Sequence, residues 1–291
     1  GYVVISIYVK FMCIALQFAN GKEFFIIWLT VEQGMFLNKY VAEIQNLTVA
    51  LRETFKRLVN NENDEALHDY RVIVRRIRSI IGPLRKLPES QPLREAAAAV
   101  GRLTTPARDL EVLVAEVERR GYSALADTRR ALLQAEYREI VEAPELQHLF
   151  DELELWPTEF AKSKLGSDSA KLKRVINKAL KRHLSKLQAG VDDIDFDRHR
   201  LRILVKRARY INDAFPTLSP LSKEAATALK KAQSALGGWH DNHQWGLRGQ
   251  LETDLLPLIE PWAISEQKEL LAAEKVLKKL AAALPTEYAK K

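Results

Sequence analysis

One phrase of eleven residues occurs twice in this sequence of 291 residues. Residues 68–78 read HDYRVIVRRIR, and residues 199–209 read HRLRILVKRAR. An internal repeat that separates two halves of a chain indicates two similar structural units. The repeat therefore limits the possible folds more than any other feature of the sequence.

Both copies of the phrase have the spacing of a helix with one cationic face. On a helix, positions i, i+3, i+7 and i+10 share a face. In the first copy these positions hold His68, Arg71, Arg75 and Arg78. In the second copy they hold His199, Arg202, Lys206 and Arg209, and Arg76 and Arg207 flank the two stripes. Because like charges at this spacing repel one another, such stripes are typical of a surface that binds a multiply charged anion.

Two further patterns accompany the repeat. Arg108-Asp109 follows the first copy and His240-Asp241 follows the second. The first pair comes shortly after Leu103 and the second shortly after Leu236, and each is predicted to lie in a turn. Arg108 is a possible anion contact, whereas Asp109 and Asp241 are predicted to cap a helix or orient an arginine. A third cationic stripe adds possible anion-binding residues, with a solvated face as the alternative. Its members are Lys171, Arg174, Lys178 and Lys181, with Arg182 beside them.

Composition favours a helical, non-membrane protein. The chain has only 12 Gly and 11 Pro, and its net charge is +7. A single cysteine, Cys13, excludes an internal disulfide and suits a reducing cytoplasm. We therefore predict an all-α fold of two pseudo-symmetric four-helix bundles around a basic central groove. The halves are residues 38–156 and 170–284, joined by a seam at 157–169, and residues 285–291 form a tail.

Residues 1–37 differ from the rest of the chain. Residues 2–9 and 24–31 are rich in β-branched and aromatic side chains, and Asn20-Gly21 between them is typical of a hairpin turn. A β-hairpin is the preferred interpretation, and a fragment of a preceding domain or a membrane anchor is the alternative. Lys10 interrupts the apolar run, which disfavours an anchor. We predict no function for this segment.

The doubled H-x-x-R-x-x-x-[RK]-R-x-R helix, followed each time by a Leu…Asp turn, resembles the CHAD domain (conserved histidine α-helical domain). The resemblance covers roughly residues 38–284. It implies two four-helix bundles around a basic groove that binds inorganic polyphosphate. The residues that it implies as contacts are His68, Arg71, Arg75, Arg76, Arg78, His199, Arg202, Lys206, Arg207 and Arg209. The second turn departs from the family pattern, because His240 stands where the pattern has an arginine.

The predicted function is non-catalytic binding of polyphosphate in the cytoplasm, with polyphosphate granules as a possible location. We expect no cofactor and no metal, because the sequence lacks a phosphate-binding glycine loop and a set of metal ligands. His240 and His243 are close in sequence, but no further His or Cys lies near them. Nucleic-acid binding is the main alternative, since arginine stripes also neutralise phosphate backbones. A scaffold for acidic proteins and a metal-dependent phosphate hydrolase are less favoured.

Overall fold

The computed structural model describes residues 21–60 and 65–285, with side chains from residue 34 onward, and every regular element in this part of the chain is helical. The α-helices are α1 (Gly21–Val59), α2 (Ala66–Ile81), α3 (Gln91–Leu103), α4 (Thr105–Arg119), α5 (Ser123–Glu142), α6 (Pro144–Lys162), α7 (Ser169–Asp192), α8 (Arg198–Ala214), α9 (Lys223–Gly249) and α10 (Ile259–Ala283). Short 3-10 segments occupy Gly82–Leu84, Pro88–Ser90 and Thr253–Leu258. The prediction of an all-α fold is confirmed.

Helix α1 corrects the predicted β-hairpin. Residues 24–31 are helical, so the prediction of a strand there is wrong, whereas the first predicted strand, residues 2–9, lies outside the described residues. The strand preference of β-branched and aromatic residues is weak. Extending an existing helix is easier than starting a new element, because nucleation is the costly step. The long amphipathic helix that follows therefore determines the structure of this segment.

The repeated phrase forms α2 and α8, and the apolar residues between its cations anchor both helices. In α2 the buried residues include Tyr70, Val74 and Ile77. In α8 they include Leu201, Val205 and Ala208. The Asp197 side chain caps α8 by accepting a hydrogen bond of 2.8 Å from the Arg200 backbone N–H. Burial of one face leaves the cationic face of each helix directed away from its core.

The predicted turn around residues 237–241 is wrong, because α9 runs without interruption through it. Near the corresponding place in the first half the helix does break, at Thr104 between α3 and α4. Arg108-Asp109 itself lies inside α4. Gly238 has a packing role instead of a turn role. A Cβ atom there would lie 3.2 Å from Glu269 of α10, so glycine allows α9 and α10 to pack closely.

The predicted seam at 157–169 begins too early. Helix α6 continues through Pro157 to Lys162, and residues 163–168 form the connection. A proline inside a helix removes one backbone hydrogen bond. Here Trp156 and Phe160, on either side of Pro157, are both buried and stack with their ring centroids 4.8 Å apart. Packing of these aromatic rings outweighs the missing hydrogen bond.

The buried apolar residues form two clusters that do not follow the boundary between the halves. The larger cluster contains most of the buried apolar residues of α1 to α7, together with Ile211, Phe215, Leu255, Leu258 and Trp262 from later in the chain. The smaller cluster contains residues of α7 to α10 alone. Arg129 of α5 adds a polar link between the halves, because its nearly buried guanidinium pairs with Glu252 at 2.6 Å and Asp254 at 3.0 Å.

Candidate anion-binding groove

A groove of about 480 Å³ lies between the two repeated helices, and we refer to it as the α2–α8 groove. Its walls come from α2, α8, the junction of α3 and α4, and one residue of α7. The polar residues that line it are Arg71, Arg75, Arg78, Ser79, Thr104, Thr105, His183, Lys206, Arg207 and Tyr210. The structure thus brings five of the ten predicted contact residues into one cavity.

The break between α3 and α4 holds Arg71 in place. Arg71 donates to the Gly101 carbonyl at 3.2 Å, to the Thr104 hydroxyl and to the Thr105 hydroxyl at 3.3 Å. A helix end leaves backbone carbonyls without partners, and these carbonyls are available as acceptors. The break therefore fixes a guanidinium on the groove wall before any ligand arrives.

Arg75 and Arg78 extend the α2 wall. The Arg75 guanidinium lies over the Tyr210 ring of α8, 4.9 Å from its centroid, which joins the two walls by a cation–π contact. A Cβ atom at residue 101 would lie 2.7 Å from Arg78 Nη1, so Gly101 makes room for this guanidinium. Partial burial lowers the pKa of Arg78, and the nearby Arg102 lowers it further.

Lys206 stands opposite on α8, among several other cations. Burial lowers the pKa of Lys206 to about 8, and Arg202, Arg75 and Arg71 lower it further, while Asp241 acts in the opposite direction. Burial also lowers the pKa of Arg202, whose Nε atom is buried and has no hydrogen-bond partner in the described part of the chain. At Lys206 the neighbouring arginines thus add to the effect of burial, and a bound anion would offset their repulsion.

Asp109 and Asp241 lie close to this group of cations. Burial raises the pKa of Asp109, while Arg71, Arg202, Lys206 and Arg108 lower it. Burial raises the pKa of Asp241 as well, Arg202 opposes that change, and Asp109 adds to it. The two carboxylates therefore partly neutralise Arg71 and Arg202, the two arginines at matching positions of the repeat. This placement is compatible with the orienting role predicted for them.

Three predicted contact residues pair with carboxylates outside the groove lining. Arg76 pairs with Glu43 of α1 at 2.6 Å, and Arg209 pairs with Asp213, one turn further along α8, at 3.2 Å. Arg108, predicted as an additional contact, pairs with Glu111 at 2.6 Å.

Neither repeated histidine lines the groove. His199 packs on Trp239 of α9, with ring centroids 4.4 Å apart, and lies near His240 and His243. Burial lowers the pKa of His240 to about 4, with Arg202 as the strongest of the neighbouring cations that lower it further. His68 lies beside Glu65 and Asp69 at the start of α2.

The third stripe, on α7, meets the groove at one end only. Arg174, Lys178 and Lys181 are exposed and do not line the groove, whereas the half-buried Arg182 lies near Arg85. Sequence reasoning missed His183, which lines the groove, and Arg85 and Lys186, which lie near it. It also missed Tyr210, because a tyrosine beside a cationic stripe carries no separate signal in the sequence.

Potential metal ligands come together at one place among the described residues. Donor atoms of Glu65, His68 and Asp69 lie within 4.8 Å of one another. The Asp69 carboxylate, however, already pairs with Arg57 at 2.9 Å. The Nδ1–H group of His243 donates a hydrogen bond of 2.9 Å to the Glu266 carboxylate. Within residues 21–60 and 65–285, no helix has both the length and the apolar character needed to cross a membrane.

Comparison with known proteins identifies the family. Residues 42–249 match the family model of the CHAD domain. The crystal structure of the CHAD domain from the plant Ricinus communis superposes with a TM-score of 0.63 and 23% sequence identity, covering 86% of this chain and 91% of that one. PptA from Streptomyces chartreusis superposes with a TM-score of 0.51 and 14% identity, covering 85% of this chain and 98% of that one. No curated protein matches the sequence significantly. Since the family model covers most of the chain, the protein belongs to the CHAD domain family.

Proposed function

We propose that the α2–α8 groove binds inorganic polyphosphate and that the protein does not hydrolyse it. The observation that carries this proposal is the set of unpaired cations that the two repeated helices direct into one cavity. Arg75, Arg78, Lys206 and Arg207 all line the groove, and none of them forms an ion pair with a carboxylate of the described residues. Arginine presents a planar fork of donors that fits phosphate oxygens.

Membership of the CHAD domain family supports the same ligand. The resemblance read from the repeated helices implies polyphosphate binding, and five of the residues that it implies meet in the groove. The remaining five, His68, Arg76, His199, Arg202 and Arg209, lie outside the groove lining. We therefore propose the five lining cations as the primary contacts.

The groove is better suited to a polyanion without bases than to a nucleic acid. Proteins that bind single strands offer exposed aromatic rings on which bases stack. Among the described residues, Tyr210 is the one tyrosine, tryptophan or phenylalanine of the lining, and Arg75 already covers its ring. The described residues of the walls also include no Asn or Gln, the side chains that commonly read adenine.

Binding without hydrolysis is the simpler proposal for this arrangement of charges. Metal-dependent hydrolysis of a phosphoanhydride requires carboxylates that hold a divalent cation near the phosphate. No carboxylate of the described residues lines the groove, and Asp109 and Asp241 interact with arginines and Lys206 instead. We also propose that binding to polyphosphate holds this protein on polyphosphate granules in the cytoplasm.

The test is a titration of the full chain with long-chain polyphosphate, against RNA at equal phosphate and about 0.15 M salt. The variant Arg75→Glu/Lys206→Glu reverses one cation on each repeated helix. We expect its affinity for polyphosphate to fall about a hundredfold or more, because two attractive contacts become repulsive. The matched control is Lys268→Glu/Lys275→Glu, which reverses two exposed lysines on the outer face of α10.

Circular dichroism of each variant shows whether the helices are retained. Polyphosphate should displace bound RNA at equal phosphate, and an excess of RNA should not displace polyphosphate. Equal binding of both polymers, or equal losses in the two variants, would mean that the protein has only a general basic surface. Release of phosphate in the presence of Mg²⁺ or Mn²⁺ would overturn the proposal of binding without hydrolysis.

A further inference from the structure

Lys206 places a primary amine among arginines inside the α2–α8 groove. Arg71 and Arg75 lie near it on the α2 wall, and Arg202 lies one turn before it on α8. Lys206 forms no ion pair with a carboxylate of the described residues, although Asp241 acts on its charge. The amine is therefore partly buried in a site where its strongest charged neighbours are cations.

These surroundings make the amine available as a nucleophile. Burial, together with Arg202, Arg75 and Arg71, lowers the pKa of Lys206 to about 8. An amine with the ordinary lysine pKa is almost entirely protonated at neutral pH, whereas about a quarter of the Lys206 amine would be unprotonated at about pH 7.5. Burial and neighbouring cations both activate a lysine in this way, because only the unprotonated amine attacks a carbon atom.

The groove also has a place for the phosphate group of a small reagent. Arg71 is held by its hydrogen bonds at the break between α3 and α4, and Arg75 is held by the Tyr210 ring. Guanidinium groups fixed in this way bind a phosphate through paired hydrogen bonds. The volume of about 480 Å³ is within the usual range for a pocket that holds a small molecule. A reactive amine and phosphate-binding arginines thus share one cavity.

We propose that Lys206 is a modification site, which accepts an acyl group from small acyl phosphates that the groove arginines bind by their phosphate. The Lys206 nitrogen attacks the carbonyl carbon, so that a C–N bond forms and the C–O bond to the phosphate breaks. The phosphate leaves with the electron pair of that bond and takes the proton that the nitrogen loses. The products are an amide and hydrogen phosphate. Binding the reagent beside the amine accelerates the reaction by proximity.

Acylation of Lys206 would regulate the binding of polyphosphate, a consequence that rests on the proposed function of the groove. The amide carries no charge, so the α8 wall loses a cation and the groove gains the bulk of the acyl group. Bound polyphosphate, in turn, would cover Lys206 and protect it from the reagent. Each event therefore opposes the other.

The experiment treats the full chain with acetyl phosphate or, separately, with the uncharged N-hydroxysuccinimide ester of acetate, and follows each lysine by mass spectrometry. Lys268 and Lys275, which are exposed on α10, serve as the comparison. With acetyl phosphate, Lys206 should react about tenfold faster or more than these two lysines. With the uncharged ester this advantage should shrink severalfold, because the ester has no phosphate for the arginines to bind.

The variant Arg75→Gln tests whether the groove binds the reagent. Both reagents require the unprotonated amine, so the ratio of their rates at Lys206 is independent of its pKa. This ratio should fall about fivefold in Arg75→Gln, which removes one phosphate contact. The matched control Lys275→Gln also removes one positive charge, and its ratio should equal that of wild type.

A titration with polyphosphate after brief acetylation tests the regulation. The affinity of treated wild type should fall about tenfold, because one cation of the groove is lost. Lys206→Arg keeps a positive charge and cannot be acetylated at this position, so the same treatment should leave its own affinity unchanged.

The outcomes separate this inference from the proposed function. Equal rates at Lys206 and the exposed lysines, the same advantage with both reagents, or an unchanged ratio in Arg75→Gln would overturn the modification site and leave the polyphosphate proposal intact. Selective acetylation of Lys206 in a protein that binds no polyphosphate would overturn the proposed function and support the modification site. Equal losses of affinity in treated wild type and treated Lys206→Arg would overturn the regulation.

Discussion

Helices α2 and α8 carry the same pattern of cations, but the neighbours of those cations differ. Arg71 of α2 has three acceptors at the junction of α3 and α4. Its counterpart Arg202 faces the continuous helix α9, and its Nε atom has no partner among the described residues. A broken helix exposes acceptors, whereas a continuous helix uses its carbonyls internally.

The arginines that flank the two stripes, Arg76 and Arg207, also differ in their neighbours. Arg76 is paired with Glu43, while Arg207 stands among cations. The repeated sequence thus produces a repeated helix, but elements outside the repeat decide which cations remain available. Each copy has one matched cation in an ion pair, Arg76 in the first and Arg209 in the second, so the copies differ in which of the matched cations remain available.

The largest expected effect is on the pH dependence of polyphosphate affinity. It comes from the one position of the repeat that holds an arginine, Arg75, in the first copy and a lysine, Lys206, in the second. Arg75 keeps its charge at any ordinary pH, whereas burial lowers the pKa of Lys206 to about 8. A bound phosphate favours the charged amine and raises its pKa. Polyphosphate affinity should therefore be highest below pH 8 and fall by up to about tenfold per pH unit above it.

Titration between pH 7 and pH 9.5 measures this profile, with Lys206→Arg as the comparison variant. The other charged groups that most affect Lys206, which are Arg202, Arg75, Arg71 and Asp241, are the same in both proteins. The arginine variant should show a flat profile over this range. A flat profile in wild type, or an unchanged fall in Lys206→Arg, would contradict the assignment.

The next largest effect is expected from removing one of the hydrogen-bond acceptors that hold Arg71 and that Arg202 lacks. The buried Thr104 hydroxyl accepts from Arg71 and donates to the Val100 carbonyl at 2.8 Å. Thr104→Val keeps the shape and removes both hydrogen bonds, so the free energy of unfolding should fall by about 1–2 kcal/mol. Polyphosphate affinity should fall severalfold, because Arg71 is held less firmly.

Denaturant unfolding and polyphosphate titration of the same samples check the Thr104→Val prediction. Thr227→Val is the matched control, since the exposed Thr227 makes a similar hydrogen bond of 2.8 Å to the Lys223 carbonyl. The control should change the free energy of unfolding by less than about 0.5 kcal/mol. Unchanged affinity in Thr104→Val would show that its hydrogen bond does not position Arg71 for binding.

The smallest expected effect comes from a substitution that leaves Arg76 of the first copy without its carboxylate partner, as Arg207 is in the second copy. Glu43→Gln removes the negative charge that faces Arg76. Both side chains are more than one-third exposed, so the free energy of unfolding should fall by less than about 1 kcal/mol. Polyphosphate affinity should rise about two- to threefold at low salt and return to the wild-type value at high salt. A lower affinity in low-salt titrations would mean that Glu43 holds Arg76 in a binding position.

The cationic stripes and the all-α fold could be predicted because both depend on local spacing. The pairing of Arg209 with Asp213 was also available from the sequence, as an i, i+4 pair on one helix. The pairing of Arg76 with Glu43 was not, since it depends on how α1 packs against α2. His183 enters the groove for a similar reason, namely the packing of α7 against α8.

The errors in the helix boundaries have one physical origin. Residues 24–31, Pro157 and Gly237-Gly238 all carry local signals for a strand or a break. In each case the helix continues, and at Pro157 the stacking of Trp156 on Phe160 favours its continuation. Local propensity amounts to about 1 kcal/mol per residue for glycine, which packing readily exceeds.

The larger core also has a consequence for synthesis of the protein. A chain emerging from the ribosome presents α1 to α7 first, but the larger core still lacks Ile211, Phe215, Leu255, Leu258 and Trp262. Until those residues are synthesised, the nascent chain exposes an apolar surface of the kind that chaperones bind. Trp262 also lies beyond residue 249, where the family match ends. A fragment that ends at residue 249 would lack Trp262, so its larger core would stay incomplete in the same way.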